Sequence, residues 1–337
     1  WGFNLQQKDA FYDYVANAEF FGLNAIYRGV PTTISRDLRA NPNGASYGLY
    51  LSDRWRFRPR TVFEFGLRWD DQTHTALSSD TQLSPRINLL QGLGPNTDLR
   101  LSWGRYYQSQ DIHELQIEDG ITDFFPADHT ILGLHHRIGG DVTLRAELFL
   151  KEMRRLRPRF ENLFNPLAII PELQADRVRI APSSATAKGI ELSIARDGRH
   201  LSWWGSYTLS EVTDRIWGVD QPRSWDQRHA AQIGLNWKRD AWDFSIAAHV
   251  RSAWPTTGLR LEQPAPPGSE AVAIPGPRNA ERLSAFASLD MRLSRTFDVR
   301  RGSLTAFFEV ANLLNRDNVC CIDYDLGEDA AVNDVLE

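Results

Sequence analysis

The densest set of residues able to recognise a ligand lies between positions 154 and 179. Arg154, Arg155, Arg157, Arg159, Arg177 and Arg179 stand there with Phe160, Glu161, Asn162 and Phe164 among them. Guanidinium forks grip carboxylates and other anionic groups by two-point hydrogen bonding, and aromatic rings add flat contact surfaces. Arg157, Arg159, Phe160, Glu161, Asn162 and Arg177 are therefore candidate ligand contacts. Trp217, Arg223 and Trp225, next to Asp226, form a second cluster of the same kind. The competing reading for both is a loop held together by its own Arg–carboxylate pairs.

Other reactive groups are few. Cys320 and Cys321 are adjacent and are the chain's 2 cysteines, so an internal bridge can only be vicinal. In an oxidising compartment such a bridge staples a loop; soft-metal ligation, free thiols or pairing with a cysteine elsewhere are the alternatives. His135 and His136 sit on one expected strand with His129. Neighbouring strand residues point to opposite faces, so the pair is read as solvated side chains and no metal is expected. His113-Glu114 is read as a polar loop pair. Gly-x-Ser-x-Gly, His-Glu-x-x-His, P-loop and dinucleotide glycine patterns are all missing. We expect no enzyme, no catalytic residue and no cofactor.

The elements that must position these residues are strands. From position 61 to 70, Phe63, Phe65, Leu67 and Trp69 alternate with Glu64, Gly66, Arg68 and Asp70. Period two with one apolar and one charged face is the signature of a strand between two different media. The pattern returns where Leu99, Leu101 and Trp103 oppose Arg100 and Ser102. It returns again where Leu144, Ala146 and Leu148 oppose Arg145 and Glu147, and where Leu289, Met291 and Leu293 oppose Asp290 and Arg292. Short connections at 58–60, 92–96, 139–140, 196–199, 238–240 and 295–302 alternate with long ones at 73–81, 109–127, 153–183, 213–227 and 253–281. Tight turns at one end and long loops at the other describe an outer-membrane β-barrel. The inward row, including Glu64, Arg68, Arg100, Arg145, Glu147, Arg251, Asp290 and Arg292, needs a hydrated lumen. Trp55, Trp237 and Trp242 lie within a few residues of short turns, where an interfacial aromatic belt sits.

The expected fold is all-β: an antiparallel transmembrane β-barrel, present in part, with about thirteen strands. One strand falls near positions 1–8 and twelve follow from position 46. Residues 10–23, rich in Phe and Tyr, keep no clean period and are read as an outer strand end or loop, and the Pro-rich segment 263–277 as loop. Mean hydropathy of −0.41 and the lack of a long apolar run argue against membrane helices. A net charge of −5 with no basic stripe gives no case for nucleic-acid binding. The opening Trp1-Gly2-Phe3 reads directly as strand, and the end reads as cut as well.

Several strings resemble the barrel of TonB-dependent outer-membrane receptors. They include Leu83-Ser84-Pro85-Arg86-Ile87-Asn88-Leu89 and Leu99-Arg100-Leu101-Ser102-Trp103-Gly104-Arg105-Tyr106-Tyr107-Gln108. Ala185-Thr186-Ala187-Lys188-Gly189-Ile190-Glu191-Leu192, Trp204-Gly205-Ser206-Tyr207, Asp226-Gln227-Arg228-His229 and Phe307-Phe308-Glu309-Val310-Ala311-Asn312-Leu313 follow in the family's order. The resemblance implies that residues 1–337 are part of a larger, plugged barrel, about twenty-two strands in that class, without the N-terminal plug and the final strand. It implies energised uptake of a scarce solute such as a siderophore, vitamin or oligosaccharide. The implied location is the outer membrane of a Gram-negative cell. The implied partners are outer-membrane lipid and lipopolysaccharide, an extracellular ligand, and the TonB complex through the missing N-terminal region. A passive porin-like or adhesin-like barrel is the alternative.

Overall fold

A computed structural model describes residues 1–20, 33–73, 82–108, 125–262, 272–326 and 332–336. His113-Glu114, residues 21–23, and most of the long connections 73–81 and 109–127 lie outside the described residues.

Thirteen strands build one continuous antiparallel wall. They are β1 (Gly2–Asp9), β2 (Asn43–Arg58), β3 (Thr61–Gln72), β4 (Gln82–Gly92), β5 (Thr97–Gln108) and β6 (Phe125–Ile138). There follow β7 (Val142–Arg154), β8 (Ser184–Arg196), β9 (Leu201–Ile216), β10 (His229–Arg239), β11 (Trp242–Arg251), β12 (Phe286–Val299) and β13 (Gly302–Val310). Each strand pairs with the next in sequence, so the wall is a simple meander. Among the described residues, the outer edges of β1 and β13 carry no partner strand. The twelve strands after β1 run 9 to 16 residues, and about 9–11 tilted residues cross a bilayer.

The register sorts side chains as the alternation requires. Trp55, Phe63, Leu89, Leu101, Leu132, Leu148, Ile190 and Leu209 line up across β2 to β9 on one face. Arg100, Gly133, Glu147, Glu191, Thr208, Ala230 and Arg251 line up on the other. The apolar row is open: Leu101 is 46% and Leu148 48% exposed. Large contiguous apolar faces are rarely left to water. On the inner face Gly189 leaves room that nothing larger would. A Cβ there would meet the Leu209 carbonyl and come within 2.7 Å of the Phe149 ring. The ring lies over the glycine and locks β7 against β8.

Three details depart from the sequence reading. Tyr12–Glu19, where no clean period is visible, is a strand that pairs with Thr33–Ala40 and buries every second residue partway. Within the Pro-rich segment 263–277, residues Val272–Pro275 form a strand against Leu259–Glu262; residues 263–271 lie outside the described residues. Ladder bonds to a partner supply what local propensity lacks. The turn placed at 295–302 is tighter than its sequence suggests, because Phe297 and Val299 continue the alternation until Val299 pairs with Gly302, leaving only Arg300 and Arg301 between them.

Candidate functional site

The connections at the long-loop end form local hairpins that dock on one another. After β7, Arg159–Asn162 pairs with Arg177–Ile180, and a single 3-10 turn, Pro171–Leu173, lies between them. After β9 the chain reverses at Trp217-Gly218, with φ of 49° and 80°. Two successive positive φ values make the tight hairpin turn whose twist suits paired strands, and Val219–Pro222 returns along Thr213–Ile216. After β11, Pro255–Thr256 meets Glu281–Arg282.

A buried ionic cluster clasps three of these loops. Asp214, fully buried near the end of β9, accepts from Arg159 Nη2 at 2.7 Å and Arg223 Nη2 at 2.5 Å. Arg159 also donates to Glu161 at 2.6 Å. Glu161 accepts from the Ser224 hydroxyl at 2.9 Å and from Arg278. Asn279 donates its side-chain amide to the Pro222 carbonyl at 2.8 Å and its backbone N–H to Thr257 Oγ1 at 3.1 Å. Beside this cluster, fully buried Asp226 accepts from the Val212 backbone N–H and from Arg282 Nη2, both at 2.8 Å. Buried charges survive only when paired and hydrogen-bonded, and every carboxylate named here is.

Two loop carboxyls respond in opposite directions. Burial alone would raise Glu161, but the Arg159 and Arg278 guanidiniums outweigh it and hold the carboxyl below its ordinary value. Burial raises Asp176, and the bonds it accepts from the Phe164 N–H and the Asn162 amide do not compensate.

The sequence candidates divide accordingly. Arg159, Glu161 and Arg223 come together, inside the clasp. Asn162 is buried and holds the Pro171 carbonyl and Asp176. Arg177 donates to the Gln174 carbonyl and lies 5.8 Å over the Phe20 ring. Arg157 and Phe160 are half-buried in the first hairpin loop. Trp217, 96% exposed at its hairpin tip, and Trp225, 55% exposed, face outward. Asp214, Ser224, Arg278 and Asn279 were not legible as site residues; their partners are distant in sequence and share no motif.

The Cys320 and Cys321 sulfurs lie 2.7 Å apart. The Cys321 thiol donates to Asn165 Oδ1 at 3.3 Å, so the segment after β13 docks on the loop after β7. His136 faces Thr97 Oγ1 at 2.8 Å while His135 faces Asp98 at 3.6 Å, on opposite sides of β6.

Comparison with known proteins agrees with this architecture. Residues 1–145 match the family model described as TonB dependent receptor-like, beta-barrel. No curated protein matches the sequence. Among solved structures, the chain is similar to the FrpB iron transporter from Neisseria meningitidis, with a TM-score of 0.58 and 13% identity over 88% of this chain and 43% of that one. The outer membrane transporter YddB from Escherichia coli gives a TM-score of 0.59 and 12% identity, over 99% of this chain and 49% of that one. The ferric enterobactin receptor from Pseudomonas aeruginosa gives 0.57 and 12%, over 98% and 52%. The chain thus spans about half the length of the structures it matches. Residues 1–145 thus match a TonB dependent receptor-like β-barrel model, and the strands beyond them continue the same sheet in a fold similar to that of the matched outer-membrane transporter.

Proposed function

We propose that this chain is part of the barrel of an outer-membrane importer that takes up a scarce solute, with energy supplied through TonB. The observation that carries the reading is the two-faced wall: an open apolar face toward lipid, and a charged face, with Arg100, Glu147 and Arg251 in one register row, toward a hydrated interior. Two of the similar structures are named as an iron transporter and a ferric enterobactin receptor. A metal chelate is therefore the first solute class to test. In this reading the plug and the TonB-engaging segment are supplied by residues outside this sequence, and the location is the outer membrane of a Gram-negative cell.

Ligand capture falls to the long-loop end. Arg159 pairs with Glu161 and both Arg159 and Arg223 pair with Asp214, which favours a structural role for them. Trp217 and Trp225 keep the exposure that recognition needs, with Arg157, Phe160, Asn162 and Arg177 as supporting loop residues. The test is uptake of radiolabelled ferric chelates by cells carrying the complete protein, with and without TonB. Uptake that stops without TonB is expected. Uptake indifferent to TonB would replace this reading with a passive pore.

A further inference from the structure

The short-turn end carries a feature that solute uptake does not use. Arg239, Trp242 and Arg295 occupy one register row across β10, β11 and β12, on the same face as Trp237, Phe244 and Leu293. This is the apolar, outward face. At the usual strand spacing the two arginines stand roughly 10 Å apart with the indole between them. The Arg295 guanidinium lies 5.0 Å from the centre of the Trp242 ring and 4.9 Å from that of Phe297. Aromatic contacts of this kind engage the face of a guanidinium and leave its in-plane N–H donors for a further partner.

Charge at this rim is unbalanced. Arg199, in the turn between β8 and β9, and Arg300 and Arg301, between β12 and β13, add three more cations at neighbouring turns. Among the described residues, no carboxylate lies within ion-pair distance of Arg199, Arg295, Arg300 or Arg301. Arg239 has only the loose, exposed contact with Asp240 at 3.9 Å. Asp197 accepts from Ser202, and Lys238 is matched by Asp243 on the inner face. A chain of net charge −5 thus holds five arginines against three exposed carboxylates, Asp197, Asp240 and Asp298, at this edge of its apolar face. Phe244, Leu293 and Phe308 continue in register above them.

We infer that Arg239, Arg295, Arg300 and Arg301, arranged around Trp242, bind the headgroup of an anionic glycerophospholipid in the periplasm-facing leaflet. The inference rests on the membrane reading above. The phosphodiester accepts from the guanidinium edges, as oxyanions do from arginine forks. The acyl chains lie along the apolar side chains above, and the indole sits at the interface between them. A zwitterionic headgroup offers the same phosphate but adds a cation to a rim already rich in them.

The test is native mass spectrometry of the complete protein released from mixed micelles holding equal phosphatidylglycerol and phosphatidylcholine. We expect roughly thirtyfold enrichment of phosphatidylglycerol among retained lipids, the order that two unpaired arginines near a membrane surface produce. The Arg295→Gln variant and the turn double variant Arg300→Gln/Arg301→Gln should each lose most of it. The turn variant leaves the wall untouched, so its loss cannot come from misfolding. Equal retention of both lipids by a protein whose gel mobility still shifts on heating overturns the lipid site and leaves the barrel standing. A protein that stays in buffer without detergent and shows no such shift overturns both readings.

Discussion

Replacing Asp214 with Asn tests whether the loops are clasped by their ionic cluster. Asp214 has no exposed surface, and it holds Arg159 and Arg223 from two different loops. Arg159 keeps Glu161 in the variant, whereas among the described residues Arg223 pairs with no second carboxylate. Removing one partner of a buried ion pair costs about 3–5 kcal/mol. Both guanidiniums retain about a quarter of their side-chain exposure, at 24% and 23%, so water recovers part of the loss and the low end, about 3 kcal/mol, applies. Each 1.4 kcal/mol is a factor of ten, and amide exchange in residues 155–183 and 219–227 should accelerate roughly a hundredfold. Exchange in β3 to β6, remote from the clasp, should not change. Hydrogen exchange on the detergent-solubilised complete protein reads both regions together. The double variant Asp214→Asn/Arg223→Gln should lose less than the sum of the singles, because the orphaned cation is gone. Unchanged loop protection in Asp214→Asn, or strictly additive losses, would refute the clasp.

Four further outcomes follow from the geometry. Glu161 is held below its ordinary 4.5, so its contribution is present above that value and is lost as pH falls through the lowered one; loop protection should drop on acidification, and the Glu161→Gln variant should flatten that profile at a lower overall protection. Gly189→Val should lower the temperature at which heat-dependent gel mobility changes, by the ~1–3 kcal/mol of an overpacked site, since its side chain meets the Leu209 carbonyl and the Phe149 ring. Trp217→Asn places the preferred Asn-Gly pair at a turn with two positive φ values, so the hairpin should gain up to about 1 kcal/mol while chelate binding weakens. Under oxidising conditions Cys320 and Cys321 should lose two hydrogens by intact mass and stop reacting with a thiol label; persistent labelling would assign them to the free-thiol state.

The wall was legible in the sequence and the clasp was not, for one physical reason. Phe63, Phe65, Leu67 and Trp69 declare their strand locally, because unlike surroundings on the two faces of a sheet impose period two on neighbouring residues. Thirteen strands, and the end on which each short turn falls, follow from that period. Glu161 and Arg278 lie 117 residues apart, and Arg159 and Asp214 lie 55 apart. No periodicity links them, so the sequence leaves the arginines of positions 154–179 open between ligand contact and pairing within the loop, and it cannot name partners such as Asp214. Val272–Pro275 escaped notice for the same reason: the partner strand, not the Pro-rich composition, makes it a strand.

The meander also bears on how such a protein changes over generations. Each wall strand bonds only to its chain neighbours, so duplicating or deleting two consecutive strands with their turn leaves every other register untouched. The circumference then changes by roughly 10 Å at a step, two strand spacings, and every remaining loop keeps its side of the membrane. Gaining or losing a single strand instead inverts the chain downstream, exchanging loops for turns and placing segments such as that of Asp214 in the wrong compartment. Hairpins are thus the heritable unit of bore size in this architecture, and single strands are not.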